Sequence, residues 1–313
     1  MRPINVRKLS IVTTLYRSSG FIEQFYRRAT EAAECITDNF EIVMVNDGSP
    51  DDSLEQAIAF HRSDPRVVVV DLSRNFGHHH AILAGLSSAR GDHIFLLDSD
   101  LEDQPEWLSR FWGVLEDSKE TLDVVYGVQQ ERTAHRLGGH LFYIIFNLIS
   151  EVRIPDSPTT ARLMTRRYLD RLLELPDKNI FMEGLFAWTG FAQKGIPVEI
   201  FHRPDSSYTI VNRIKLMLNS LTSFSGAPLH FLSMFGLLIS LMSGCYGLYT
   251  VTRKLIAPDS IALGYTSVIA SIWFIGGLLM MQLGLIGFYF SKMFREVKRR
   301  PQFVIRQVFR AND

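Results

Sequence analysis

The sequence predicts an α/β protein: a Rossmann-like domain on a mostly parallel sheet, followed by a hairpin of two membrane-crossing helices. Three observations lead there. Short, apolar, β-branched runs alternate with helix-length segments from Leu9 to about Val128. Two later stretches, Leu229 to Val251 and Ile261 to Phe290, contain no Asp, Glu, Lys or Arg. Between them in importance stands "LLDSDLEDQPE", Leu96 to Glu106, where acids gather directly behind an apolar run.

The chain has 313 residues, long enough for a substantial core, and 33 basic against 33 acidic residues. That balance excludes a global basic field, and nucleic acid is not an expected partner. The balance hides a basic C-terminal segment, where Lys292, Arg295, Lys298, Arg299, Arg300, Arg306 and Arg310 outnumber Glu296 and Asp313. A segment of that kind on a neutral protein points to an anionic lipid surface. Cys35 and Cys245 lie far apart, so neither a disulfide framework nor a zinc site is indicated. The first residues lack the pattern of a signal peptide, which leaves the first domain in the cytosol.

Taken in order, the runs "LSIVTTLY", "FEIVMVND", "RVVVVDLS", "DHIFLLDSD" and "DVVYGV" read as strands. They are continuously apolar rather than alternating, as expected for a parallel sheet covered on both faces by the intervening helices. Right-handed crossovers then bring the C-terminal ends of the strands to one edge, where open α/β sheets bind ligands. The residues at those ends become candidates: Thr13 to Tyr16, Asn46 to Gly48, Ser73 to Asn75 and Asp98 to Asp100.

Gly138 to Ile154 is apolar but carries His140, Asn147 and Glu151, and is predicted as an amphipathic helix on the sheet or on a membrane surface. Tyr208 to Phe224 mixes Arg213 and Lys215 with an apolar face in the same way. The two uncharged stretches each exceed the ~20 residues that cross a bilayer core. The predicted organisation is a cytosolic domain over 1–207, a juxtamembrane helix over 208–226, a hairpin over 227–291 and a basic tail over 292–313. The positive-inside bias places the domain and the tail together in the cytoplasm of a multi-pass inner-membrane protein.

Alternate residues of an extended chain point the same way. If the strand stays extended, Asp98, Asp100 and Glu102 share one direction, and Ser99, Leu101 and Asp103 the other. Three converging carboxylates repel one another unless a cation neutralises them, and Mg²⁺ or Mn²⁺ suits such hard oxygen ligands. Asp103 and Glu106, beside Pro105, read as a cap and first-turn acids of the following helix. The "HHH" of His78 to His80 cannot jointly ligate one ion, because successive helical residues diverge by about 100°. At most one of them turns toward the site.

Three segments together resemble the family 2 glycosyltransferases. They are "VNDGSPDDS" at Val45 to Ser53, "LSRNFGHHHAILAGLSSARGDHIFLLDSDLEDQPE" at Leu72 to Glu106, and "YGVQQER" at Tyr126 to Arg132. With the C-terminal hairpin, the layout is similar to the polyprenyl-phosphate sugar transferase branch, the one that resembles dolichyl-phosphate mannose synthase. The resemblance implies a glycosyltransferase A-type fold and inverting transfer of a sugar from a nucleotide-sugar donor to an undecaprenyl-type phosphate, with a divalent cation. It implies nucleotide-sugar contacts from Asp47, Asp98, Ser99 and Arg132, metal ligands in Asp98, Asp100 and Glu102, and acceptor or phosphate contacts from Arg162, Arg203 and Ser207. Where the family's first strand commonly ends in a Pro-x-Tyr-Asn-Glu pattern this chain has "TTLYRSS", so contacts from Thr13, Thr14, Leu15 and Tyr16 are expected to rest more on backbone groups. Homo-oligomerisation stays open.

Two departures stand out. Glu102 occupies a place where the family usually has Gln, which adds charge. "DSPTTARLM" puts Thr160 where relatives carry an acid that could activate the acceptor. A phosphate acceptor is already ionised, whereas a hydroxyl acceptor needs a general base, for which Asp156 and Glu183 are the remaining candidates. A transferase acting on a non-lipid glycan and a noncatalytic nucleotide-sugar-binding scaffold are the alternative readings.

Overall fold

A computed structural model describes residues 8–118, 121–129, 158–175, 181–200 and 265–311, with scattered helical positions between 234 and 256. The first half builds as its pattern demands. Strands β1 (Leu9–Leu15), β2 (Phe40–Asn46), β3 (Val67–Leu72) and β4 (His93–Leu96) alternate with helices α1 (Ile22–Glu34), α2 (Ser53–Ser63) and α3 (His78–Ser88). Helix α4 (Trp107–Asp117) leads to β5 (Val124–Gln129), then β6 (Pro158–Thr165), α5 (Arg166–Leu173), α6 (Met182–Trp188) and β7 (Gln193–Val198). The long helix α7 (Tyr265–Val297) and a last strand β8 (Ile305–Phe309) complete the described elements.

All eight strands form one sheet in the order β7-β5-β6-β4-β1-β2-β3-β8. Pairing is parallel from β3 through β2 and β1 to β4, while β6 runs antiparallel to both β4 and β5. Because side chains alternate across the sheet, Ile42 and Met44 enter one core with Phe25, Phe95 and Phe111, whereas Val43 and Val45 enter the other with Ile82 and Tyr168. Helices α1, α2 and α4 cover the first face and α3, α5 and α6 the second. Both faces are therefore dry, which is why the strands lack polar alternation.

The tail is not wholly free. Residues 305–309 form β8 and pair antiparallel with β3, from Val69 opposite Phe309 to Leu72 opposite Ile305. Arg306 and Arg310, expected to face lipid, instead meet Asp71 and Glu41, both acids almost completely buried. Lys298, Arg299 and Arg300 remain exposed.

Within α7, Phe274–Ser291 has a mean hydropathy of 1.6 over 18 residues and is 0% buried. Length and composition suffice to cross a membrane. Leu279, Met280, Leu283, Ile286 and Phe290 are all exposed there, an apolar surface of the kind that marks an interaction with a membrane or a partner. The expected first span over 229–251, the amphipathic segments over 138–154 and 208–224, and residues Arg132, Asp156, Arg203 and Ser207 lie wholly or largely outside the described residues.

Candidate active site

The C-terminal ends of β1 to β4 meet at one edge, as right-handed crossovers require. At the end of β1, Thr13 is buried and its Oγ1 has no hydrogen-bond partner among the described residues. Thr14 Oγ1 lies 3.2 Å from His78 Nδ1, and its carbonyl accepts from Ser99 Oγ at 2.9 Å. Ser99 Oγ also meets Ser18 Oγ at 3.0 Å, so the β1 and β4 turns are tied together beneath the surface. Leu15 is buried core, while Tyr16 presents a half-exposed ring.

After β2, Asp47 is almost fully buried, and its carboxylate accepts from the N–H groups of Phe76 at 2.7 Å and Gly77 at 3.0 Å. Burial raises its pKa despite those two bonds. Asp47 thus holds the segment that leads from β3 into α3. Gly48 follows with φ +59, and a Cβ there would stand 2.5 Å from Asn75 N and 2.6 Å from the Arg74 carbonyl carbon. Only glycine permits that backbone-to-backbone approach. The turns after β2 and β3 therefore close on each other.

The acidic segment departs from the extended geometry expected of it. β4 ends at Leu96, and Leu101 adopts a left-handed φ of 66°. Asp100 Oδ1 accepts from the Glu102 N–H at 3.0 Å, closing a tight turn. Asp98, Asp100 and Glu102 are each partly exposed, Ser99 and Asp103 buried, but the grouping comes from this turn and not from strand alternation. Asp103 is not a helix cap. It is 5% exposed, accepts from the Ala161 N–H at 2.8 Å, and is pushed up to about 8 by burial and then by the charges of Asp98 and Asp100. Glu106 does sit at the start of α4 but makes no side-chain cap bond; it binds Arg28 through two hydrogen bonds of 2.7 Å.

Among the described residues no three His, Cys, Asp or Glu side chains form a group that could hold a metal ion, so Asp98, Asp100 and Glu102 are not brought together as the three-ligand set expected of them. The donor set still fits Mg²⁺ or Mn²⁺. Such ions use one or two carboxylates and complete their shell with water and substrate phosphates. Asp98 and Asp100 are partly exposed oxygen donors in the turn that follows β4.

Of the three consecutive histidines, His78 meets the acidic turn: its Nε2 lies 3.5 Å from Asp98 Oδ1. His80 is held below its ordinary pKa by burial and then by the His79 charge.

Arg162, on β6 opposite Leu96 and Tyr126, is 4% exposed, with its guanidinium 3.5 Å from the centre of the Phe186 ring. It donates to the carbonyls of Thr159 and Thr160 at 3.1 and 3.2 Å. No carboxylate among the described residues lies within ion-pair distance of it, and burial lowers its pKa. Glu183, on α6, has a buried Oε2 without a hydrogen-bond partner. Thr160 lies on β6, two residues before Arg162. The sequence did not single out His78, Asp103, Asp71 or Arg306 for the roles they take here. Only the first two carried a local signal, in the "HHH" and "DLED" strings.

Residues 10–173 match the family described as glycosyl transferase family 2. The chain belongs to that family. It is therefore a glycosyltransferase, with a glycosyltransferase A-like α/β fold. A protein of Mycobacterium tuberculosis described as a glycosyltransferase is 38% identical over 305 residues, covering 96% of this chain and 88% of its own. The prophage-derived bactoprenol glucosyl transferase of Shigella flexneri is 32% identical over 314 residues, covering 97% of this chain and 99% of that one. Among solved structures, a mannosyltransferase of Pyrobaculum calidifontis in complex with GDP-Man and Mn²⁺ is similar at 17% identity and a TM-score of 0.49, over 93% of this chain and 86% of that one.

Proposed function

We propose that this family 2 glycosyltransferase moves a sugar, with inversion, from a nucleotide-sugar donor to a polyprenyl phosphate at the cytoplasmic face of a bacterial inner membrane. The observation that carries the reading is the pairing of accessible acids Asp98 and Asp100 at the ligand edge with an apolar, unburied helix in the same chain. The near full-length similarity to a bactoprenol glucosyl transferase supports a lipid-phosphate acceptor. A divalent cation held by Asp98 and Asp100, with Glu102 beside them, would stabilise the charge that develops on the departing nucleoside diphosphate. The turns after β1, β2 and β3 would seat the nucleoside and exclude water from its base. The acceptor oxygen then attacks the anomeric carbon from the side opposite the diphosphate. Thr160 suits this acceptor, because an ionised phosphate needs positioning and no deprotonation. For the same reason Glu183 is not required as a base.

The sheet supports one membrane topology. β8 lies after α7 yet pairs with β3, which favours both ends of the chain's soluble part standing on one side of the bilayer. An even number of crossings would satisfy that, with 229–251 as the second. A Cβ at Gly236 would stand 2.5 Å from Gln282 Nε2, as expected of two helices packed side by side. Membranes containing the chain, given labelled nucleotide sugars and undecaprenyl phosphate, should form a label extractable into organic solvent. Asp100→Asn should abolish it. Label confined to a water-soluble glycan, or no product with any donor, overturns the reading.

A further inference from the structure

The strand that follows the long helix returns to the ligand edge of the sheet. At the irregularity between Asp71 and Leu72 the ladder opens, and Ser73 N–H donates to Val304 O at 2.9 Å. Arg306 spans the gap, donating through Nη1 to Asp71 Oδ2 at 3.2 Å and through Nη2 to the Ser73 carbonyl at 2.7 Å. The Asp71 side chain is 5% exposed, and its second oxygen accepts from Asn46 Nδ2 at 2.8 Å. Asn46 Oδ1 accepts from the Ser49 N–H at 3.1 Å, and Ser49 Oγ from the Arg17 N–H at 2.7 Å. A continuous series of hydrogen bonds thus joins Arg306 to the turns after β3, β2 and β1. Residues 74–77 of the same segment are those that Asp47 and Gly48 contact.

We infer that Arg306 is a positioning residue for the nucleotide-sugar donor, acting through Asp71 and the 73–77 segment. The inference rests on the reading that this edge binds the donor. Its physical basis is the buried Asp71 carboxylate. With Arg306 in place, Asp71 is neutralised and fixes the Asn46 amide, which fixes the Ser49 turn. Without it, a buried anion loses its partner and the turns lose their common anchor. Arg310, one residue beyond the same strand, binds Glu41 at 2.9 Å and the Ser88 carbonyl. Glu41 bonds Ser10 Oγ and the Arg90 N–H, at the opposite end of the sheet from the ligand edge. Arg310 therefore serves as an internal control of the same chemistry.

The test uses the full chain in detergent with Mn²⁺, and as probe whichever of UDP, GDP, ADP and CDP the wild type binds most tightly. Arg306→Ala should weaken binding about 10-fold, the scale of one charge-assisted hydrogen bond. Arg310→Ala should lower the melting temperature without changing affinity. Arg306→Lys keeps a charge for Asp71 but cannot also reach the Ser73 carbonyl, so it should fall between wild type and alanine; it carries the test if alanine does not fold. Asp47→Ala reports on the edge itself. Weakened binding in Asp47→Ala with unchanged affinity in both Arg306 variants overturns the positioning role alone, as do equal losses in the Arg306 and Arg310 variants. Wild-type affinity in Asp47→Ala, or no binding of any of the four by the wild type, overturns both readings.

Discussion

His78 Nε2 lies 3.5 Å from Asp98 Oδ1, while the other ring nitrogen stands 3.2 Å from Thr14 Oγ1. The imidazole thereby connects the end of β1 to the first acid of the acidic turn. A group that orients a metal-ligating carboxylate typically contributes about 10-fold or more to metal affinity. His78→Ala is expected to weaken Mn²⁺ binding about 10-fold, measured by titration calorimetry on the purified chain, with His78→Asn retaining part of the loss. Unchanged Mn²⁺ affinity in both variants would remove the imidazole from the site.

Gly48 sets a second expectation. Its φ of +59 and the approach of Asn75 N to 2.5 Å leave no room for a side chain. Backbone cannot yield as a flexible side chain can, so Gly48→Ala should cost about 2 kcal/mol or more in unfolding free energy. Nucleotide affinity should fall with it, because the turns after β2 and β3 would be pushed apart. A stable Gly48→Ala protein with wild-type affinity contradicts this.

Glu41 supplies the pH dependence. Burial alone would raise its pKa, but bonds from the Arg90 N–H, Ser10 and Lys8 outweigh burial and leave it below the ordinary value. A carboxylate with a depressed folded-state pKa stabilises the fold above its unfolded value of about 4.3, and the contribution is lost as pH falls through the folded value. Glu41→Gln should therefore destabilise by about 3 kcal/mol at pH 7, where Lys8 and Arg310 lose their anion. The gap between variant and wild type should close as denaturation is followed below about pH 4. A gap independent of pH would mean that the charge is not what matters.

Topology can be read by labelling. Cys35 is exposed on the catalytic domain, and Arg300 is exposed between α7 and β8. In a Cys245→Ser background, a membrane-impermeant maleimide applied to intact cells should miss both Cys35 and a cysteine placed by Arg300→Cys. After the cells are permeabilised, both should react. Labelling of one without the other would contradict a sheet shared by the two segments.

The parallel half of the sheet was legible because its strands are buried on both faces, which writes itself as unbroken runs such as Val67 to Val70. The edge where they converge was legible for the same reason. What escaped was set by contacts distant in sequence. Asp103 reads as a helix cap by position, yet its carboxylate is claimed by the Ala161 N–H on β6. β8 reads as a basic tail because the pairing that makes it a strand is supplied by β3, and Arg306 reads as lipid-facing because its partner Asp71 is remote in the chain. Extended geometry beyond Leu96 failed at Leu101, where a left-handed residue reverses the direction of the chain. Local pattern reports what a residue prefers, and these residues take conformations and partners chosen elsewhere.

The order of synthesis gives β8 one more consequence. β3 is made early and leaves the ribosome with an unpaired edge, a surface prone to joining other strands. Its natural partner emerges only after α7 has been made, so the edge stays open until that helix is complete and, on the proposed topology, delivered to the bilayer. A chain threaded with the wrong orientation would strand β8 on the far side, and its sheet could never be finished. On the proposed topology, correct insertion would thus be a condition of completing the sheet, and misoriented copies would keep the open β3 edge.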